Sequence, residues 1–426
     1  MAAGSPRLKG FKQTVRLAEA FEKFLRETGL RRLPVEEVSL VDCLGRVLAV
    51  DVYAPRDIPP FDRAAMDGYA LKAKNTFGAS PSNPLVFRVI GKSDVASPFQ
   101  GEVGGLEAVE VATGAPIPRG ADAVVMFEFT QPLDGGKIEV YRTVSPGENV
   151  AKKGEDFKAG VKVLPRGRVL RSQDLAVLAA LGFSQVKVKV KPRVAFFSVG
   201  RELVEPGTPL KPGEIYDVNR YFLASALTQM GCIPLDLGII PDEASQIAAK
   251  AGEALEKADM LIVTGGSSAG RSDLTLEALK GLRGFQLVFH GVSIRPGRPL
   301  AAGALKGKPV VLLPGYPAAA MLGFLFFAKK ILEHMLEVAR PEPLKVQGKL
   351  VRRVASSPGI LDFVRVKVKR EAEGLLVEPL RTAGAGLTSS MAWADGLLLI
   401  PEEREGFDEG ETVEVYLLRG SLVGEL

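Results

Sequence analysis

The chain is 426 residues long, enough for about two to four domains, and its 46% hydrophobic and 25% charged residues are ordinary for a globular chain in water. A net charge of +5, with no basic run interleaved with aromatics, carries no nucleic-acid signature. Cys43 and Cys232 stand far apart, as do His290 and His334, which argues against a disulfide framework, a zinc cluster or a Ser-His-Asp triad and leaves only a hard cation on carboxylates as a candidate metal.

In chain order, the first residues carry no signal-peptide apolar core. The longest apolar run, 318–328, is too short to cross a bilayer, so the expected location is cytoplasmic. Residues 14–28 read as an amphipathic helix, with Leu17, Phe21, Phe24 and Leu25 on one face and Gly29 as its stop. Residues 34–41 read as extended, and 45–53 fit helix or strand equally. The prolines and charges of 55–69 read as a loop carrying Asp57, Asp62 and Asp67, which by itself suits a solvated acidic segment. Strands are expected at 85–90, 108–112, 123–129 and 137–141, with a turn at Thr113 and a hairpin at Gly135-Gly136. A glycine- and charge-rich stretch, 144–167, holds Glu155 and Asp156, and a helix follows at 172–181. The alternation of Lys and Val over 187–191 suggests an edge strand with one wet face. The β segment therefore reads as an insertion, 55–143, within a discontinuous linking domain made of 1–54 and 144–191.

Residues 192–340 alternate strands (194–199, 234–239, 260–263, 310–313) with helices (219–230, 242–257, 274–282, 318–338), the pattern of a doubly wound parallel α/β sheet. Two of its units share one recipe: strand, glycine-rich turn, helix. The first runs through Gly265, Gly266, Ser267, Ser268 and Gly270 to Asp273. Glycine lets backbone approach a ligand closely, and free N–H groups at a helix start favour an anion. Asp273 could cap the helix or hold a metal. The turn is neither a Walker A nor a G-x-G-x-x-G pattern. The second turn is Pro314, Gly315, Tyr316 and Pro317, the last suiting a first helical turn. Arg295 and Arg298 flank a Pro-Gly turn, as guanidinium pairs do when gripping phosphate, although a solvated basic loop has the same look. After a proline-rich linker, strands at 344–350, 362–369, 374–379, 396–401 and 411–418 make a small all-β C-terminal domain, 341–426.

Six stretches appear in order: PPFDRAAMDGYA, ATGAPIPRGADAVV, GENVAKKGED, TGGSSAGRSD, RPGRPLAAGALKGKPVVLLPGYPAAAMLGF and LTSSMAWADGLLLIP. Together they resemble the molybdopterin molybdenumtransferase family of the MoeA type, related to the E domain of gephyrin, over 14–418. The resemblance implies an α/β plus β subunit, multidomain and elongated, in a homodimer whose cleft includes the partner's β insertion. It implies Mg²⁺-dependent insertion of molybdate, or tungstate, into adenylylated molybdopterin with release of AMP, the α/β domain binding the pterin nucleotide. By motif match Asp67, Thr113, Asp156, Glu202 and Asp273 are cleft residues. Glu202 and Asp273 would serve a metal or activate water, and Asp67 and Thr113 would orient molybdate or phosphate. The glycine turns, Arg295, Arg298, Pro314 and Pro317 would hold substrate. Ser389 matches a serine motif near the cleft, where a plain β-domain turn fits equally well. The chain departs from the usual pattern at Val199, Arg201 and Arg271, and carries Arg295, Arg298 and Tyr316 where lysines and Asn are usual, which makes the cleft more cationic. A non-catalytic scaffold of the same fold and the preceding adenylyltransferase are the alternatives; the latter should need only the α/β domain.

Overall fold

The computed structural model describes residues 14–266, 274–339, 343–372, 374–380 and 386–418. A six-stranded sheet lies at its centre, in the order Ile233–Ile240, Arg193–Val199, Met260–Gly265, Lys308–Leu313, Ala301–Leu305, Phe285–His290. The first four strands are parallel, as the alternation of strands with helices led us to expect. The last two are antiparallel, so the sheet is mixed. Neither strand was among those the sequence suggested; Ala301–Leu305 was hidden because its small residues, Ala301-Ala302-Gly303-Ala304, carry little β-propensity.

Alternate residues of each strand feed two cores. On one face, Val194, Phe196, Met260 and Ile262 meet the helices Asn219–Gln229 and 317–336. On the other, Ala195, Phe197, Leu261 and Val263 meet Ala244–Lys257 and Leu274–Lys280. The helix Leu17–Thr28 joins the first of these cores. Its Phe24 is fully buried and meets Phe327 edge-on at 5.8 Å, burial worth about 1.5–3 kcal/mol for such a side chain. Gly29 ends that helix in the left-handed conformation, φ 55°.

Further cores lie outside the central sheet. Cys43, Leu48, Val52 and Ala54 pack with Leu164, Leu178, Val186 and Val188, so chain segments on either side of the insertion share one interior. Within it Val35–Ser39 pairs antiparallel with Gln185–Lys189, the lysine-rich strand. The insertion is a six-stranded sheet ordered Ala123–Met126, Gly68–Leu71, Glu107–Val111, Leu85–Ser93, Lys137–Val140, Thr130–Leu133. Two of these correct the sequence reading. The loop expected over 55–69 ends before Gly68, where Gly68–Leu71 forms a fully buried strand, short and hidden behind flanking charges. Thr130–Leu133 was missed because the expected 123–129 strand stops at Met126 in a 3₁₀ turn.

All five C-terminal strands are present. Leu361–Glu371 pairs with both Gly374–Pro379 and Gly396–Ile400, which closes the set into a small barrel. The barrel is tied to the central unit through Ile294–Arg295, a two-residue strand parallel to Leu361–Asp362. Residues 295–299 are thus not wholly a loop. No helix among the described residues is long and apolar enough to cross a membrane.

Candidate functional site

The chain leaves Arg193–Val199 toward one side of the sheet and returns across it to Met260–Gly265 on the other. Strand order reverses between these two neighbours, and ligands of open α/β sheets collect beyond the carboxyl ends at such a point. Three turns meet there: 199–202, 265–266 and 314–317.

Their closeness depends on glycine. Gly265 has φ 84°, and a Cβ there would lie 2.2 Å from the Val199 carbonyl oxygen. Gly266 has φ 66°, and its Cβ would fall 2.0 Å from Thr275 Oγ1. Neither position tolerates a side chain. A Cβ on Gly315 would touch the Gly265 Cα at 3.4 Å, so the two glycine turns are immediate neighbours. Below them Ser198 Oγ and Thr264 Oγ1 share a buried hydrogen bond of 2.8 Å across adjacent strands.

Residues with no sequence motif complete the crevice. Asn219, at the start of its helix, donates from Nδ2 to the Gly315 carbonyl at 2.8 Å. That carbonyl can only accept, which fixes the amide orientation, and Asn219 Oδ1 is buried without a partner. Asp217 accepts from the amides of Asn219 and Arg220 at 3.1 and 3.3 Å, charge suited to a helix N-terminus. Arg220 reaches Glu205 at 2.7 Å and Asp236 at 2.8 Å. Thr275 Oγ1 is a further buried atom without a partner. Unpaired polar atoms of this kind are rare in protein interiors, and here they gather under the two turns. An asparagine beginning a predicted helix reads only as a cap, so nothing in the sequence singled these residues out.

Glu202 is exposed and curls back over its own turn: a Cβ on Gly200 would be 2.9 Å from its Oε1. Asp273, Ser267, Ser268 and Gly270 lie outside the described residues. Among the described residues no three His, Cys, Asp or Glu side chains converge as a ready-made metal cage.

The barrel borders this crevice. Arg295 donates from Nε to Asp362 at 2.9 Å and from Nη2 to Ser356 at 3.3 Å, and the Asp362 carboxylate raises its pKa. Arg298 is exposed on the same turn. Ser389 is exposed on the helix Thr388–Trp393, not on a turn, and that helix packs against Pro317–Gly323. Its neighbour Ser390 is buried and accepts from Arg365 Nε at 3.3 Å. Arg365 is 2% exposed, its Nη2 has no partner, and burial pulls its pKa down against the opposing pull of Asp362.

The insertion carries a second constellation. Gly68–Leu71 runs antiparallel to Glu107–Val111 with Gly68 opposite Val111, which brings Asp67 and Thr113 together. Asp67 Oδ1 accepts from the Thr113 amide at 2.6 Å and from its hydroxyl at 2.9 Å. These two donors hold the Asp67 carboxyl below the usual carboxylate range. Asp156 lies by a different ladder, a short two-stranded pairing outside the insertion's six-stranded sheet. Arg63–Ala64 pairs with Val150–Ala151, and the Asp156 amide donates to Ile58 at 3.1 Å, at the far end from Asp67. Asp62 locks that end by accepting from the Lys153 amide at 2.8 Å and from Lys152 Nζ at 3.0 Å.

A switch-point crevice floored by glycine and rimmed by arginine, in a chain with an inserted sheet and a terminal barrel, defines a multidomain α/β protein with a candidate ligand site at the sheet's carboxyl edge. Comparison with known proteins agrees. Residues 15–182 match the MoeA N-terminal region (domain I and II), 195–334 a "Probable molybdopterin binding domain", and 347–418 the MoeA C-terminal region (domain IV). Molybdopterin molybdenumtransferase of Bacillus subtilis is 35% identical over 90% of each chain, and that of Staphylococcus aureus 32% over 96% of each. The crystal structure of a molybdopterin biosynthesis MoeA protein from Pyrococcus horikoshii OT3 superposes with a TM-score of 0.82 at 35% identity, covering 95% of this chain and all of that one. The chain belongs to the MoeA family of molybdopterin molybdenumtransferases.

Proposed function

We propose that this chain inserts molybdate, or the similarly sized tungstate, into adenylylated molybdopterin and releases AMP. The observation that carries the reading is the abutment of the Gly265-Gly266 and Gly315 turns at the switch point, in a chain so similar to the B. subtilis transferase. Turn amides and the Thr275 hydroxyl suit phosphate oxygens, because fixed N–H and O–H dipoles hold an anion without reorganising. Arg365, buried beside Ser390 with an unengaged Nη2, suits the oxyanion, with Arg295 and Arg298 adding positive charge.

Asp67 has a different part from the one its motif suggests. Both Thr113 donors are already engaged by Asp67 Oδ1. The pair therefore presents a carboxylate, which repels molybdate and attracts a cation or an N–H or O–H group. In the homodimer we propose, the partner's insertion brings this carboxylate to the crevice, where it orients a donor or a cation at the scissile pyrophosphate. Asp156 acts at a distance, as part of the ladder that positions the insertion.

Mg²⁺ needs only one or two carboxylates when substrate phosphates complete its shell. Glu202, exposed at the switch point, meets that need, and Asp273 is the second candidate. The ion would supply Lewis-acid polarisation of the pyrophosphate. Buried unpaired cysteines suit a reducing cytoplasm as the site of the reaction.

The test is AMP release by the purified protein from adenylylated molybdopterin with Mg²⁺ and molybdate; no AMP with all three present rejects the assignment. Asp273→Ala then separates two roles. A metal ligand loses turnover by orders of magnitude, whereas a helix cap loses about 1 kcal/mol of stability with chemistry intact.

A further inference from the structure

The crevice described above is almost entirely polar: glycine amides, hydroxyls, carboxylates and guanidinium groups. A ligand that carries phosphates on a planar fused ring also needs a flat apolar surface, and Tyr316 offers one. Its side chain is 67% exposed, unusual for a large aromatic that typically buries most of its ring. It is nevertheless rigidly mounted. Gly315 before it is pinned through its carbonyl by Asn219, and Pro317 after it opens the helix Pro317–Gly323. Its backbone sits at φ −68° and ψ 128° as that helix's N-cap. Gly386, at the edge of the barrel, lies alongside the ring. A Cβ there would sit 3.5 Å from Tyr316 Cδ1, so bare backbone supports one side of the ring. Asn219, which begins the helix Asn219–Gln229 and holds the Gly315 carbonyl through its Nδ2, keeps its Oδ1 buried and unpaired, an acceptor for a ring N–H or an exocyclic amine.

We propose that Tyr316 is the stacking platform for the planar heterocycle of the substrate, and so a specificity-determining residue of the crevice. The proposal rests on the function proposed above and says which residue reads the ring. An aromatic face held in place loses little freedom on stacking, and such contacts tolerate any fused ring with a π-face. Two rings of the substrate class share this chemistry, the adenine and the pterin, and separate probes distinguish them.

The experiment measures calorimetric binding to the full chain of AMP, of a pterin phosphate and of inorganic pyrophosphate, for the parent, Tyr316→Phe and Tyr316→Ala. Tyr316→Ala is expected to weaken one ring-bearing probe by about tenfold or more. Tyr316→Phe should stay within about threefold of the parent, because it keeps the ring. Pyrophosphate should bind all three alike, which also reports that the crevice is intact. The probe that weakens names the ring. Unchanged binding of both ring-bearing probes by Tyr316→Ala overturns the proposal. Equal loss of pyrophosphate overturns it too, since Tyr316 would then only shape the turn. These outcomes are independent of AMP release by the parent protein, on which the functional assignment stands or falls.

Discussion

The α/β crevice and the Asp67–Thr113 pair are built on opposite principles. In the crevice each functional turn ends its own strand, and parallel pairing of Met260–Gly265 with Lys308–Leu313 carries both turns to the same edge. Locality of sequence becomes locality in space through the sheet alone. In the insertion, two residues far apart in the chain meet only because one antiparallel register sets Gly68 opposite Val111. A one-residue slip would turn Asp67 to the other face. The first kind of site survives changes in surrounding loops, and the second depends on every rung of its ladder.

Substitutions can break this contrast. The largest effect is expected from Gly266→Ala, which combines φ 66° with a Cβ placed 2.0 Å from Thr275 Oγ1. Denaturant unfolding should show a loss on the order of 3 kcal/mol, with transfer abolished. Gly315→Ala meets only an ordinary contact with Gly265, so its fold should hold while the cradle narrows and KM rises. Equal stability loss in both variants would mean that the two turns are not built as described.

Asp67→Asn is expected to reduce turnover about 100-fold, comparable to loss of a fixed electrostatic group, with an unchanged unfolding midpoint because Asp67 is exposed. The pH-rate profile sharpens the point. Thr113 depresses the Asp67 pKa, so Asp67 stays ionised as pH falls through the usual carboxylate range. Thr113→Val removes the hydroxyl donor, the Asp67 pKa rises, and the acid limb of activity should move to higher pH. An unmoved limb would separate Asp67 from the chemistry.

A smaller and purely structural effect is expected at Asp174, which is 4% exposed and accepts from Arg168 at 2.8 Å and from the Arg171 amide at 3.0 Å. Burial pushes its pKa up, but these partners outweigh burial and hold it low. Its stabilisation is therefore complete above the ordinary Asp range and lost as pH falls through the depressed folded value. Asp174→Ala should cost about 1–3 kcal/mol at neutral pH and less in acid, leaving turnover per folded molecule intact. Least affected should be thiol labelling. Burial pushes the Cys232 thiol up to about 12 and raises that of Cys43, so the native protein should resist alkylation at pH 8 until unfolded.

What the sequence determined by itself was whatever is written in short-range pattern. The four parallel strands, the flanking helices, all five barrel strands and the glycine turns each announce themselves by periodicity and by residues that only particular backbone shapes admit. Tertiary structure decided the rest. Pairing register made a buried strand of Gly68–Leu71 and joined Asp67 to Thr113, and barrel closure brought Ser390 beside Arg365. Burial left Asn219 Oδ1 and Thr275 Oγ1 without partners under the turns. These features come from contacts between residues far apart in the chain, and no local pattern encodes which distant residue a side chain will meet.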